Sequence, residues 1–266
     1  MIFGFIGTGN MGGALAKAAA KTLDPQEILL SNKTFAKAQA LAETLGCKAL
    51  SVEAVAKEAD LLFLGVKPHM MADLLASISP TLAAREKPFC LVSMAAGLTM
   101  AEIQQMAGAD YPVIRIMPNT PVSVGQGVIL YDKTGNVPQD YLETFLWGMD
   151  QAGLLDPLPE KLIDAGSAVA GCGPAFAALF MEALADGGVA CGLPRAKAME
   201  YAAKTLLGTA ALALESGQHP GALKDAVCSP GGSTIAGVRA LEQGAFRAAA
   251  MNAVEAAFHR TKELGK

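Results

Sequence analysis

Charge, cysteine and histidine are all scarce in this sequence. Only 17% of its 266 residues are charged, while 52% are hydrophobic, and the mean hydropathy is positive. That balance excludes a disordered chain, and it is apolar enough to predict buried subunit contacts. The net charge is −4 with no basic stripe, which argues against a nucleic-acid partner. The five cysteines (Cys47, Cys90, Cys172, Cys191, Cys228) are odd in number and scattered, without a C-x-x-C. They predict neither a disulfide framework nor a metal site, and they fit a reduced, cytoplasmic protein. Cys228 reads as a small buried residue. There are three histidines: His69 after a proline, His219 in a helix-stop turn and His259 on the last helix. None lies in a catalytic setting, and no Tyr-x-x-x-Lys pair accompanies the strands, so the usual acid–base groups of an alcohol dehydrogenase are missing. The first apolar residues follow no basic segment and read as a strand, not a signal peptide. The uncharged run Ala165–Met181 is shorter than the ~20 residues of a membrane span and contains Gly171, Gly173 and Pro174. It predicts a buried helix preceded by a tight turn. No internal repeat or long linker is evident.

The first half alternates strand and helix signals. Apolar runs at Met1–Ile6, Glu27–Leu30, Cys47–Leu50, Asp60–Val66, Phe89–Ser93 and Val113–Met117 predict a parallel set. Helices are predicted at Gly13–Thr22 and Phe35–Leu45, and Thr99 with Glu102 forms a capping box. This alternation predicts a doubly wound α/β sheet. After about Asp156 strand signals end. Segments 161–185, 195–216 and 235–264 are rich in Ala, Leu and Met at helical spacing. In the middle one Met199, Ala203, Leu206, Leu207, Ala210 and Leu214 share a face. The expected division is a dinucleotide-binding domain over 1–158 and an all-α domain over 159–266.

The N-terminal strand runs into Gly7-Thr8-Gly9-Asn10-Met11-Gly12. A G-x-G-x-x-G between a strand and a helix is the context of a dinucleotide site. Gly7 allows the turn, Gly9 lets the main chain approach a pyrophosphate, and Gly12 permits close helix–strand packing. At the end of the second strand stands Ser31-Asn32-Lys33 in place of the acidic residue that holds a free ribose 2′-OH. A hydroxyl, an amide and a cation favour NADPH over NADH, although Lys33 is equally readable as a solvated helix-start residue. Val66-Lys67-Pro68-His69 and Ser93-Met94-Ala95-Ala96-Gly97 follow later strands, where an open sheet binds ligands. Small residues at Ala95, Ala96 and Gly97 leave room for a nicotinamide ring. Arg115 reads as a structural anchor, and the prolines of Pro118-Asn119-Thr120-Pro121 make a stiff loop.

Far along the chain, Ser229-Pro230-Gly231-Gly232-Ser233-Thr234 breaks regular structure just before an apolar helical segment. Free amides at a helix start attract anions, and glycines allow close approach. The loop is either a carboxylate cradle or an ordinary helix cap. An imine suits this inventory of side chains. Once protonated it is strongly electrophilic, so hydride addition needs little acid catalysis.

These residues resemble the pyrroline-5-carboxylate reductase family over nearly the whole chain. The likeness runs through the Gly7–Gly12 loop, Val66-Lys67-Pro68, Ser93–Gly97, Arg115–Pro121, Ala170–Phe176, Gly192-Leu193-Pro194 and Ser229–Gly237, continuing through Glu242 and Asn252 to Glu263. The last stretch is similar to the family's signature. The resemblance implies a Rossmann-type domain followed by a helical dimerisation domain whose helices interlock with a second subunit. It also implies NAD(P)H-dependent reduction of pyrroline-5-carboxylate to L-proline. It assigns Thr234 to the imine nitrogen, the loop amides of Gly232, Ser233 and Thr234 to the carboxylate, and Glu160 to the vicinity of the substrate. For the cofactor it assigns Ile6, Gly7, Thr8, Gly9, Asn10, Met11, Ser31, Lys33, Val66, Lys67, Met94, Ala96 and Asn119, with no metal. The family's usual Ser-Gly-Ser-Gly-Pro-Ala-Tyr is replaced by Ala170, Cys172 and Phe176 at three hydroxyl positions, and an Asn expected around Ser51–Glu53 is absent. Two other readings use the same residues. One is a reductase of this architecture acting on a β-hydroxyacid or another cyclic imine; the other is a nucleotide-sensing protein that does not turn over.

Overall fold

A computed structural model describes residues 1–264. By compactness the chain divides into two units: Met1–Cys172 together with the chain from Ala257 onward, and Gly173–Ala256. The first unit is an α/β sandwich. In chain order its elements are β1 (Phe3–Ile6), α1 (Asn10–Ala19), β2 (Ile28–Ser31), α2 (Phe35–Leu45), β3 (Lys48–Ala49), α3 (Val52–Glu58), β4 (Leu61–Leu64), α4 (Met71–Ala83), β5 (Cys90–Ser93), α5 (Met100–Ala107), β6 (Val113–Pro118), β7 (Gly127–Lys133), α6 (Gln139–Met149), β8 (Gly153–Pro157) and α7 (Glu160–Ala170).

The sheet order is β3-β2-β1-β4-β5-β6-β7-β8. The six expected strands are all present and parallel, in register Ile6↔Ser31, Ile6↔Leu64, Leu64↔Ser93 and Ser93↔Arg115. The central strands are buried throughout, as continuous apolar runs require when helices cover both faces. One face buries Phe3, Phe5, Phe63 and Phe145, with the Phe5 and Phe63 rings stacked at 4.4 Å. The other buries Val55, Leu75, Ile78 and Ile103. Each such side chain contributes about 1.5–3 kcal/mol of transfer free energy. Chain order reverses between β1 and β4, which opens a crevice at their carboxyl ends.

Two strands lie beyond the expected set. β7 runs antiparallel to β6 and β8 runs parallel to β7. An antiparallel neighbour needs no helical crossover, so the strand–helix alternation gave no sign of it. The helical boundary also differs. α7, expected in the second domain, stays with the sheet, its Ile163 buried against Met117 and Leu130.

The second unit holds α8 (Gly173–Ala190), α9 (Arg195–Ser216), α10 (Pro220–Ala226), α11 (Ser233–Gln243) and the start of α12 (Phe246–Leu264). α8 and α9 meet through alanines, with Ala185, Ala198 and Ala202 buried beside Met181 and Val189. Within Ala165–Met181 the expected tight turn before a helix is present, but the helix that follows is not buried: in α8 Ala185 is the one buried residue. The turn lies at Gly171-Cys172, where both amides donate to Ser167 O, and separates α7 from α8. The apolar stretch Glu160–Ala190 passes for a membrane span by length and composition, but only 11% of its most apolar window is buried. The turn leaves pieces of 11 and 18 residues. The expected face of α9 is also uncovered: Leu207 is 57% and Leu214 85% exposed.

Candidate active site

The carboxyl ends of β1, β2, β4, β5 and β6 bring most of the expected cofactor residues to one edge of the sheet. At the end of β1, Gly7 has φ +97° and a Cβ there would lie 2.5 Å from Gly65 O. A Cβ on Gly12 would lie 2.1 Å from Gly7 O, so both glycines are required by packing. Gly9 is different: a Cβ there would meet nothing within 4 Å. Gly9 is the N-cap of α1, and no side chain caps that helix. Its first amides are therefore free for an anion. Ile6 and Thr8 are buried, while Gly9 and Asn10 are exposed and Met11 half-buried. Thr8 Oγ1 is buried without a hydrogen-bond partner, and the Thr8 amide donates to Asn32 Oδ1 at 3.2 Å. A cavity of about 560 Å³ adjoins this loop, lined by Gly9, Met11, Lys17, Lys37, Thr120 and Ser123 among others. An orphaned hydroxyl, an uncapped helix and open space at Gly9 fit the diphosphate of a dinucleotide.

At the end of β2, Ser31 is buried and its carbonyl accepts from the Gly7 amide at 2.8 Å. Lys33 is exposed. Val66 and Lys67 follow β4 and lead into a short 3₁₀ turn at Pro68–Met70 that contains His69. Met94 and Ala96 follow β5 and are half-buried. Asn119, after β6, is 7% exposed. Its Nδ2 donates to Ala170 O and its Oδ1 accepts from the Val128 amide. It therefore joins β7 to the end of α7 through both side-chain atoms.

Glu160 opens α7 with its carboxylate engaged. Its Oε1 accepts from the Met100 amide at 2.7 Å and pairs with Arg115 Nη1 at 3.3 Å. Asp164, one turn on, holds Arg115 Nη2 at 2.7 Å. The Glu160 amide donates to Asp132 Oδ2 at 2.6 Å, and Asp132 is the cross-strand partner of Arg115. The neighbouring capping box is complete: Thr99 N and Oγ1 both donate to Glu102 Oε2. Those bonds, with a smaller contribution from Arg115, hold the Glu102 carboxyl below its usual range.

In the second unit, Gly231 has φ +67° and Gly232 is the N-cap of α11, again without a side-chain cap. A Cβ on Gly232 would strike Ser229 Oγ at 2.4 Å. Ser233 and Thr234 are exposed at the first two helical positions. The hydroxyls do not cap the helix, so its first amides are left without a side-chain partner. His219 is likewise reassigned: it does not end α9 but starts α10, its Nδ1 accepting from the Gly221 amide. Ser51, at the position of the missing Asn, N-caps α3, and Phe176 faces an apolar groove beside Phe180 and Phe246. Sequence reasoning missed Gly65, Lys37, Asp132 and Asp164. Two of these had a legible signal: Gly65 as a glycine ending a buried strand, and Asp164 by its spacing of four from Glu160.

A doubly wound sheet with an anion-ready glycine loop at its switch point defines a dinucleotide-binding oxidoreductase of the α/β class. The comparisons narrow the class. The family profile described as "Pyrroline-5-carboxylate reductase dimerisation" matches residues 160–264, and "NADP oxidoreductase coenzyme F420-dependent" matches 2–97. Pyrroline-5-carboxylate reductase of Pisum sativum is 40% identical over 98% of this chain and 95% of its own length. That of Escherichia coli is 38% identical over 99% and 98%. The crystal structure of the Plasmodium falciparum pyrroline carboxylate reductase with NADP bound superposes with a TM-score of 0.90 at 31% identity, covering 100% of this chain and 98% of that one. The Coxiella burnetii reductase gives 0.88 at 32% identity over 99% and 98%. The chain belongs to the pyrroline-5-carboxylate reductase family.

Proposed function

We infer that this protein reduces pyrroline-5-carboxylate to L-proline with NAD(P)H, NADPH being preferred. The observation that carries the reading is the pairing of two uncapped helix starts, α1 and α11, each entered through glycine, on a chain that matches reductases over its full length. The free amides of α1 hold the diphosphate. Thr8 offers its orphaned hydroxyl and Asn10 and Met11 their main chain. Ser31 and Lys33 face the 2′-phosphate, and Val66, Lys67, Met94 and Ala96 border the nicotinamide half. Asn119 acts by fixing the loop after β6. When bound, the cofactor supplies a hydride to the imine carbon.

The loop Gly232-Ser233-Thr234 holds the substrate carboxylate on the first amides of α11, where the helix dipole favours an anion by about 0.3–1 kcal/mol. Thr234 presents its hydroxyl to the ring nitrogen. The substrate enters as the protonated iminium. Its C=N bond accepts the hydride at carbon, the π pair becomes the nitrogen lone pair, and the amine of proline takes a further proton from solvent. No strong side-chain acid is needed, in keeping with three histidines placed in turns or on the last helix. The helical half forms a homodimer or a multiple of dimers through the uncovered apolar faces of α8 and α9, and the protein works in the cytoplasm.

The test is NADPH absorbance with and without pyrroline-5-carboxylate, with proline quantified. Stoichiometric proline formation, with higher kcat/KM for NADPH than for NADH, is expected. Cofactor binding without turnover would favour a sensor, and turnover only with a β-hydroxyacid or a six-membered imine would reassign the substrate.

A further inference from the structure

One oxygen of the Glu160 carboxylate, Oε1, is engaged by the protein itself. It bridges Arg115 on β6 to the Met100 amide, the first residue of α5. Directly before Met100 lie the loop Met94–Leu98 and the cap Thr99, the only chain between β5 and α5. This loop carries Met94 and Ala96. It is tethered at three further points: the Ala95 amide on Ser93 Oγ, the Thr99–Glu102 box, and Ala96 packed against Met117, Leu130 and Ile163. Gly97, with φ +77°, lets the chain turn back toward α5. Behind Glu160, Arg115 is 2% exposed and held on its other side by Asp164. A buried guanidinium between two carboxylates on one helix face fixes where each carboxylate points.

We propose that Glu160 is a positioning residue for the nicotinamide-facing loop, its Oε1 acting through the Met100 amide and backed by Arg115, so that its effect on the reaction runs through main chain and not through substrate binding. The inference rests on the assignment of Met94 and Ala96 to the cofactor. Strand β6 and helix α7 together set the height of the β5–α5 loop over the sheet edge. Hydride transfer is steep in distance, and a misplacement of ~1 Å costs about 100-fold. Loss of the clasp therefore acts on the chemical step.

The test compares Glu160→Ala with Glu160→Gln in the full chain, using pyrroline-5-carboxylate and NADPH. The amide keeps an acceptor for Met100 and a partner for Arg115, whereas alanine removes both. The expected result for Glu160→Ala is a kcat lower by about 10- to 100-fold, a substrate KM changed by less than about threefold, and a larger deuterium isotope effect on kcat with NADPH labelled at the transferred position. Glu160→Gln should recover most of the rate. Should Glu160→Ala fail to fold, Met100→Pro deletes the same hydrogen bond from the other side. Proline suits the first helical position, and Met100→Ala controls for the lost side chain. The proline variant should show the same kinetic signature and the alanine variant should not. A substrate KM raised tenfold or more with an unchanged isotope effect would make Glu160 a substrate ligand and overturn the proposal. A lowered Tm with unchanged kinetics would reduce it to a structural contact. Inactive wild-type protein would instead refute the assigned reaction.

Discussion

Gly9 and Gly12 belong to one motif but should fail in different ways when given a methyl group. At Gly12 the added Cβ would lie 2.1 Å from Gly7 O, more than 1 Å inside normal contact, and its obstacle is backbone. Relief requires α1 to move off β1, an overpacking cost of about 1–3 kcal/mol or more. In a domain of this size that lowers Tm by about 2–12 °C. At Gly9 the backbone is φ −71°, ψ −162°, which alanine adopts freely, and the new atom would meet nothing within 4 Å. A poorer N-cap and a stiffer unfolded chain nearly offset each other, leaving stability within about 1 kcal/mol. In the proposed function the space at Gly9 is taken by the pyrophosphate. Gly9→Ala should therefore raise the KM for NADPH at least about tenfold, a loss of ~1.4 kcal/mol, with Tm of the cofactor-free protein changed by no more than about 4 °C. Thermal unfolding without cofactor and NADPH titration at saturating substrate separate the two effects. A Gly9→Ala enzyme with wild-type KM for NADPH would show that the open space at Gly9 is not where the dinucleotide lies.

Four further outcomes are expected. Thr234→Ala should lower kcat/KM for pyrroline-5-carboxylate by about 10- to 100-fold without loss of stability, since its side chain is exposed; full activity removes Thr234 from the mechanism. Lys33→Glu should cut the NADPH-to-NADH ratio of kcat/KM at least about tenfold, and an unchanged ratio assigns Lys33 to solvent. Glu102 has its folded pKa lowered by the bonds from Thr99, so its contribution is complete above the ordinary carboxyl range near ~4.3 and is lost as pH falls through the folded value. Thr99→Ala should accordingly cost about 1 kcal/mol at pH 7 and less as the pH drops below about 4, whereas a pH-independent difference in denaturant midpoints contradicts this. Leu207→Glu places a charge on an apolar face that is uncovered in one chain; sedimentation should show dissociation to monomers, and an unchanged assembly moves the interface elsewhere.

The legible parts of the sequence were those whose physics is local. The Phe35–Leu45 and Arg195–Ser216 helices and the Thr99 cap depend on spacing and on neighbours three or four residues away, and they stand where the residues placed them. The glycine loop was legible because strand, turn and helix follow one another directly. β7 was not, although Val128-Ile129-Leu130-Tyr131 is an apolar run between glycines. A reading organised by strand–helix alternation has no place for a strand that returns without a crossover. The α9 face was read correctly as apolar, but its period of 3.6 carries no information about whether the cover comes from the same chain or from another.

Glu160 shows where sequence reasoning stops for a physical reason. Its separation from Asp164 by four residues places both carboxylates on one face of α7, and that much is written in the sequence. What the pair does depends on Arg115, 45 positions away, and on the amide of Met100, 60 positions away. A carboxylate facing a cavity binds ligands, whereas the same carboxylate facing a buried guanidinium and a helix start orders main chain. The two have identical local sequences. The family resemblance places Glu160 near the substrate, and the hydrogen bonds place it behind the β5–α5 loop, which the proposed function sets beside the nicotinamide. Both statements hold if proximity to the chemistry is achieved through the main chain of Met100, which is why the isotope effect, and not activity alone, separates a ligand from a positioning residue.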